Sequence, residues 1–326
     1  MIHRRSFVAL IAASSLALGA ADAALAQAAY PSKTVTEVVT FSAGGIGDVY
    51  GRAIAEQLSA KLGQSVVVDN RVGGGGLIGA SSVARAAPDG HTFMLMTGAH
   101  IGAALLQPNP SVDILEDLTP VVGVGGFPGI LVAPISSEIK SFADIKTHAE
   151  KVDALNYASG GIGSYGHMGA AYLMSALGVQ SVHLPFAGNS TAIQSLMGGE
   201  IDLIFPASTD VLELVRAGKL RALAVSSKER IAALPDVPTM AELGYPDIDP
   251  SVWYGFLVPK DTPKEIVDTL ATAISEAAMS DTVKSLFEKY NYLPEIIDGA
   301  ALREKGLAEK ARWGKVIADN KITLTN

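Results

Sequence analysis

Two extended apolar runs constrain this chain more than any other feature. The first is VVGVGGFPGILVAP at 121–134 and the second is VWYGFLVP at 252–259. Neither carries a helical period, and each interrupts an alternation of strand-like and helix-like segments. Before the first run the order is VTEVVTF (35–41), a helix with Ile54, Leu58 and Leu62 on one face, SVVVDN (65–70), a helix through Ala87, and TFMLMTG (92–98). Between the runs come LNYAS, a helix from about Tyr165, SVHLPF, a helix from Ser190, IDLIFPA, a helix from Ser208 to Ala217, and RALAVSS. This βαβα rhythm predicts parallel sheets covered by helices. A chain that completes one series, builds a second and crosses back predicts an α/β protein of two lobes with two crossing segments as a hinge. The expected division is 29–125 with 253–326 for the first lobe and 126–252 for the second.

Local signals punctuate the series. Ser141 with Asp144 and Thr239 with Glu242 read as capping boxes. Thr262-Pro263-Lys264-Glu265 reads as a helix start, after which the chain reads as helical to about Ala318.

Residues 1–28 read as an export signal: Arg4-Arg5, an apolar stretch at 7–20 too short to span a membrane, and small-residue cleavage sites in ALAQA. Arg4-Arg5 also fits a twin-arginine signal; the ordinary secretory route is preferred. Either predicts a periplasmic protein. Of 25 basic and 33 acidic residues, the segment holds Arg4, Arg5 and Asp22, so 23 face 32 in the remainder. Such an acidic surface offers no basic field for nucleic acid. There is no cysteine, which excludes disulfides, thiolate metal sites and thiol nucleophiles.

The tetrapeptide Gly-Gly-Ile-Gly occurs once in each series, at 44–47 and at 160–163, between a strand-like run and a helix-like one. Glycines let backbone approach a ligand, and the first turn of a helix presents unpaired N–H groups with partial positive charge. Strand, glycine loop and helix therefore make an anion cradle that needs no cationic side chain. One copy reads most simply as a tight turn; two copies, one per lobe, point to a site between the lobes. Asp48 follows the first copy and reads foremost as the N-cap of the next helix. Ser164 stands in the equivalent place, able to cap and to donate, with His167 one turn on.

Other patterns fall short. Gly74, Gly76 and Gly79 satisfy the dinucleotide fingerprint, but the next strand ends at Thr97 without the acid that would hold a ribose. The four glycines at 73–76 read instead as a hinge-side turn. No nucleophile elbow, zinc-protease helix or phosphate-loop lysine is present, and the histidines stand singly along the chain. No catalytic residue, metal or cofactor is expected. Trp253 and Tyr254 could wall a cleft or pack a core.

In order, the segments FSAGGIGD, VVVDNRVGGGGLIGASSVARAAPDGHT, LNYASGGIGSYGHM, VHLPFAGNSTAIQSLMGGEIDLIF, GKLRALAVSSKERIAALPDVPTMAELGYP and VWYGFLVP resemble the solute-binding receptors of tripartite tricarboxylate transporters, the Bug-type proteins. The resemblance implies a type II periplasmic binding protein fold that closes on a small organic carboxylate and delivers it to the membrane subunits of such a transporter, as a monomer. It implies ligand contacts from Phe41, Ala43, Gly44, Gly45, Gly47 and Asp48 in the first loop, and from Ser159, Gly160, Gly161, Gly163, Ser164 and His167 in the second. Thr97, Phe186, Ala187 and Ala207, with Pro206 beside it, would line the rest. The chain departs from the family at Ser42-Ala43, where Pro is usual, at Phe186-Ala187-Gly188, where Tyr-Lys-Gly is common, and at Pro206-Ala207, where Asp-Asn is common. A less charged pocket follows, fitted to a monocarboxylate or an acid with an apolar body. A ligand-presenting protein for a membrane sensor and an exported hydrolase using Ser164 with His167 are the alternative functions.

Overall fold

The computed structural model describes residues 30–324; the expected export signal at 1–28 lies outside the described residues. The first series forms β1 (Val35–Val39), α1 (Ile46–Leu62), β2 (Val66–Asn70), α2 (Leu77–Ala84), β3 (Thr92–Met96) and α3 (Ala99–Leu106). The first extended run then splits into β4 (Leu118–Phe127) and β5 (Ile130–Pro134). The second series follows as α4 (Asp144–Ala149), β6 (Leu155–Ser159), α5 (Tyr165–Leu177), β7 (Ser181–Pro185), α6 (Asn189–Met197), β8 (Leu203–Ile204), α7 (Ser208–Arg216) and β9 (Leu220–Val225). The chain closes with β10 (Val252–Pro259), α8 (Lys264–Ala278), α9 (Asp281–Glu288), β11 (Ile297–Asp298) and α10 (Gly299–Asp319).

Two sheets result. One has the order β11-β4-β10-β3-β1-β2, the other β7-β6-β8-β5-β9. In the first, β1 pairs in parallel with β2 and β3, while β10 runs antiparallel to β3 and β4. In the second, β6 is parallel to β7 and β8, while β5 runs antiparallel to β8 and β9. Helical crossovers account for the parallel pairs. The antiparallel strands are those that bring the chain across: β5 enters the second sheet and β10 re-enters the first. The crossings are pinned to each other. Ser226 N–H donates to Gly129 O at 3.0 Å, Gly129 N–H donates to Ser226 Oγ at 2.8 Å, and Ser251 Oγ lies 2.8 Å from Ser226 Oγ.

β1 is buried along nearly its whole length, as a central strand covered on both faces must be. The core above it is aromatic. Tyr50 stacks on Tyr254 with ring centroids 4.6 Å apart, and Phe127, Phe287 and Tyr292 close around them. Tyr50 OH lies 2.6 Å from Tyr292 OH, which in turn donates to Val124 O. Tyr292→Phe should leave both the Tyr50 hydroxyl and the Val124 carbonyl without a partner. Chemical denaturation should read a loss of about 1–3 kcal/mol with an unchanged m-value.

One local expectation is corrected. The stretch after Lys264 is not one helical run. Asn291 adopts φ 57°, Pro294 follows, and the chain leaves α9 to add β11 to the sheet edge before α10 begins. Gly73, Gly74, Gly75 and Gly76 all have positive φ, and a Cβ on Gly76 would lie 2.5 Å from the His100 ring, so the run packs on α3. Thr239 and Glu242 exchange the backbone-to-side-chain bonds of a capping box, 2.8 and 3.1 Å, but the residues after them form turns and not a helix. At Ser141 only half a box forms, Asp144 Oδ2 accepting from Ser141 N–H at 2.8 Å, and α4 begins at Asp144 with Ala143 as its N-cap.

The last helix joins the two layers. Leu302 near its start packs with Trp253 and Leu257, while Trp313 and Val316 near its end belong to the second sheet's core with Leu131, Leu155 and Met168. Among the described residues no helix is long and apolar enough to cross a membrane.

Candidate ligand-binding cleft

The two Gly-Gly-Ile-Gly segments share a sequence but not a conformation. In the first, Gly44 has φ 81° and Gly45, in extended conformation, caps α1, so the helix begins inside the tetrapeptide at Ile46. Asp48 is therefore the third helical residue and not the N-cap the sequence points to. Its carboxylate reaches back: Oδ2 accepts from Gly44 N–H at 2.9 Å and from Arg52 Nε at 3.0 Å, and Oδ1 accepts from Asn70 Nδ2 at 2.7 Å. Burial alone would raise the pKa of Asp48, but these hydrogen bonds outweigh it and hold the carboxyl below its ordinary value. In the second copy Gly161 and Gly163 take φ 137° and 76°, and the helix begins only at Tyr165. Here Ser164 is the N-cap, accepting from His167 N–H at 3.3 Å.

Neutral histidines underlie both loops. Beneath the first, Thr97 N–H donates to His100 Nδ1 at 3.0 Å, and His100 Nε2 lies 2.6 Å from Thr40 Oγ1. Beneath the second, Gly163 N–H donates to His167 Nδ1 at 3.0 Å, and His183 Nε2 lies 2.8 Å from Ser159 Oγ. His167 and His183 do not stand singly, as their spacing along the chain implies; their rings stack at 3.6 Å. Burial pushes His100 and His183 down to about 4, and burial with the neighbouring His183 pushes His167 to about 3. Neutral rings let each loop be braced without a buried charge.

This arrangement does not serve the hydrolase alternative. Ser164 Oγ meets the backbone of His167, not its ring. The serine that does meet an imidazole, Ser159, is fully buried and donates to Gly161 O at 2.9 Å. Among the described residues no group of three or more His, Asp or Glu side chains could hold a metal ion.

Between the sheets lies a cavity of about 260 Å³. Five helices present their first turns to it: α1 through Ile46 and Gly47, α3 through Ala99, α5 through Tyr165 and Gly166, α6 through Asn189, and α7 through Thr209 and Asp210. First-turn N–H groups have no acceptor within their own helix. Ile46, Gly47, Tyr165 and Gly166 find none elsewhere among the described residues. Phe127, Val252 and Tyr254 form the apolar wall. No Lys, Arg or His lines the cavity; its charged side chain is Asp210. Gly44 lines an adjoining outer hollow of similar size, with Ile46, Asp210, Lys289 and Tyr290.

Of the residues expected at the site, Phe41, Gly47, Thr97, Ser164 and Ala207 line the cavity, as does Pro206. Gly45, Asp48, Ser159, Gly160, Gly161, Gly163 and His167 shape the loops behind it. Ala43 and Ala187 are exposed on their turns, and Phe186 packs against the second lobe's core. Sequence reasoning missed Tyr165, Asn189, Thr209 and Asp210. Their one shared signal is position: each opens a helix that follows a strand.

Residues 50–322 match the family described as tripartite tricarboxylate transporter family receptor. Protein BugT of Bordetella pertussis is 35% identical over 293 residues, 89% of this chain and 90% of its own. Rpa4515 of R. palustris, solved with adipate, is 32% identical with a TM-score of 0.78, over 90% of this chain and 99% of that one. MatC from Rhodopseudomonas palustris, solved with bound malate, is 30% identical with a TM-score of 0.74, over 88% and 100%. The two-sheet, two-crossing architecture is thus that of periplasmic binding proteins.

Proposed function

Because this chain belongs to the tripartite tricarboxylate transporter receptor family, we propose that it captures one small organic carboxylate between its lobes in the periplasm and hands it to the membrane subunits of such a transporter. The carrying observation is the convergence of five helix N-termini on one cavity that no basic side chain lines. Helix dipoles and free first-turn amides favour an anion there, and the uncharged donors suit a carboxylate.

Capture works by completing a half-built site. The amides of Ile46 and Gly47 stand on the first lobe and those of Tyr165 and Gly166 on the second. A carboxylate held by both sets draws the lobes together, with Gly129, Ser226 and Ser251 as the pinned axis of the motion. Each lobe alone supplies half the donors, so affinity depends on closure. The protein acts as a monomer, since each chain holds both halves. A single anionic site suits a monocarboxylate better than a di- or tricarboxylate.

Calorimetry with a panel of mono-, di- and tricarboxylates, each beside its neutral amide, tests this. At least one acid should bind and its amide should not. Amides binding as well as their acids would overturn the anion-cradle reading.

A further inference from the structure

A cleft that helix N-termini make attractive to an anion contains an anion of its own. Asp210 lines both the inner cavity and the outer hollow, and it remains open to solvent at the cleft mouth. Asn189 Nδ2 donates to its Oδ2 at 2.7 Å. Asn189 in turn lies against Gly160 of the second loop, which has no room for a Cβ on that side. The carboxylate is thus oriented by a chain of contacts that starts at the loop, while no protein donor reaches its Oδ1 among the described residues. No cation pairs with it either: Lys289 shares the outer hollow, but its ammonium sits over the Tyr290 ring, 4.7 Å from the centroid. An acid in the first turn of α7 does stabilise that helix. That explains an aspartate at the helix start, not one held in place on a ligand cavity with one oxygen unclaimed.

Resting on the reading of the cleft as a carboxylate site, the geometry points to Asp210 as the residue that selects the ligand: the acid bound here carries, beside its carboxylate, a cationic nitrogen that pairs with Asp210. The helix amides take the carboxylate and Asp210 takes the ammonium, so the ligand enters with no net charge. An acid bearing a second carboxylate would instead set like charges together. The surrounding protein raises the pKa of Asp210 by desolvation, with the Asn189 hydrogen bond pulling the other way. A ligand cation beside it favours the ionised form.

Calorimetry at neutral pH on the full chain and on Asp210→Asn tests this. The probes are glycine, β-alanine, γ-aminobutyrate, δ-aminovalerate and the α-amino acids, each beside its parent acid without the amine. At least one amine-bearing acid should bind the unaltered chain about tenfold or more tighter than its parent. Asp210→Asn, and Asp210→Ser as a second variant, should erase that preference and bind the parent acids at least as well. Parent acids that bind as tightly as their amines, or a preference that survives both substitutions, would overturn the proposal while leaving the carboxylate cleft intact. Binding of no acid in either series would overturn the cleft reading and this proposal with it.

Discussion

Gly47→Val should weaken carboxylate binding on the order of a hundredfold, about 2.8 kcal/mol, while the protein still melts cooperatively. A Cβ on Gly47 would lie 2.5 Å from the Phe41 ring, and both residues line the cavity. Either the ring swings into the ligand's space or the first loop shifts off its donors. Gly161→Val should act comparably from the other lobe for a different reason: its φ of 137° lies where an L side chain rarely goes, and a β-branched one least of all. Gly45 is the control. Its backbone is extended at φ −71°, and an added Cβ meets only Ser42 O at 3.2 Å, so Gly45→Ala should cost far less. Unchanged dissociation constants for Gly47→Val and Gly161→Val would contradict the two-sided grip.

Glu309 should make stability fall as pH rises from about 4.5 to about 7. It sits on α10 where the layers meet, 4% exposed, with Trp253 Nε1 donating to its Oε1 at 2.7 Å and Arg312 Nη2 at 3.3 Å, while its Oε2 has no partner. Burial pushes its carboxyl up to about 7, against the downward pull of Trp253, Arg312 and Lys305. The native state therefore keeps a proton through a range in which the unfolded chain has released it, and each pH unit there costs stability; above pH 7 the loss is complete. The loss across the window is on the order of 3 kcal/mol. The depressed histidines work in the opposite sense, since their contribution is lost as pH falls from 6.5 toward 4 and 3. The measurement is thus a difference: the stability of the unaltered chain minus that of Glu309→Gln, by urea unfolding at several pH values. The difference should decline across the window and flatten above it. A pH-independent difference would show that Glu309 does not titrate there.

The alternation of elements, the two crossings and the Thr239–Glu242 capping bonds were legible because each depends on residues close in sequence. Hydrophobic period and N-cap chemistry act within a few positions. The tail after Lys264 was misread because Asn291 and Pro294, which break the helix, look minor beside a long helical pattern. The repeated tetrapeptide was legible as a pair of loops at the cleft, but not as two different backbones. What separates them is the residue that follows: Asp48 reaches back to Gly44 and pulls the helix start forward, whereas Ser164 caps and leaves the glycines outside. Asn189 and Asp210 were not legible as site residues. They are 21 positions apart, and only the packing of α6 beside α7 brings their side chains together. Likewise, His167 and His183 stack because their helix and strand are neighbours in space.

A crystal structure of the protein with a carboxylate shown to bind by calorimetry tests the central claim most directly. The ligand carboxylate should lie between the sheets, within hydrogen-bonding distance of first-turn amides from both lobes: Ile46 or Gly47 on one side, Tyr165 or Gly166 on the other. A carboxylate held by one lobe alone, by a basic side chain, or in another cavity would contradict it.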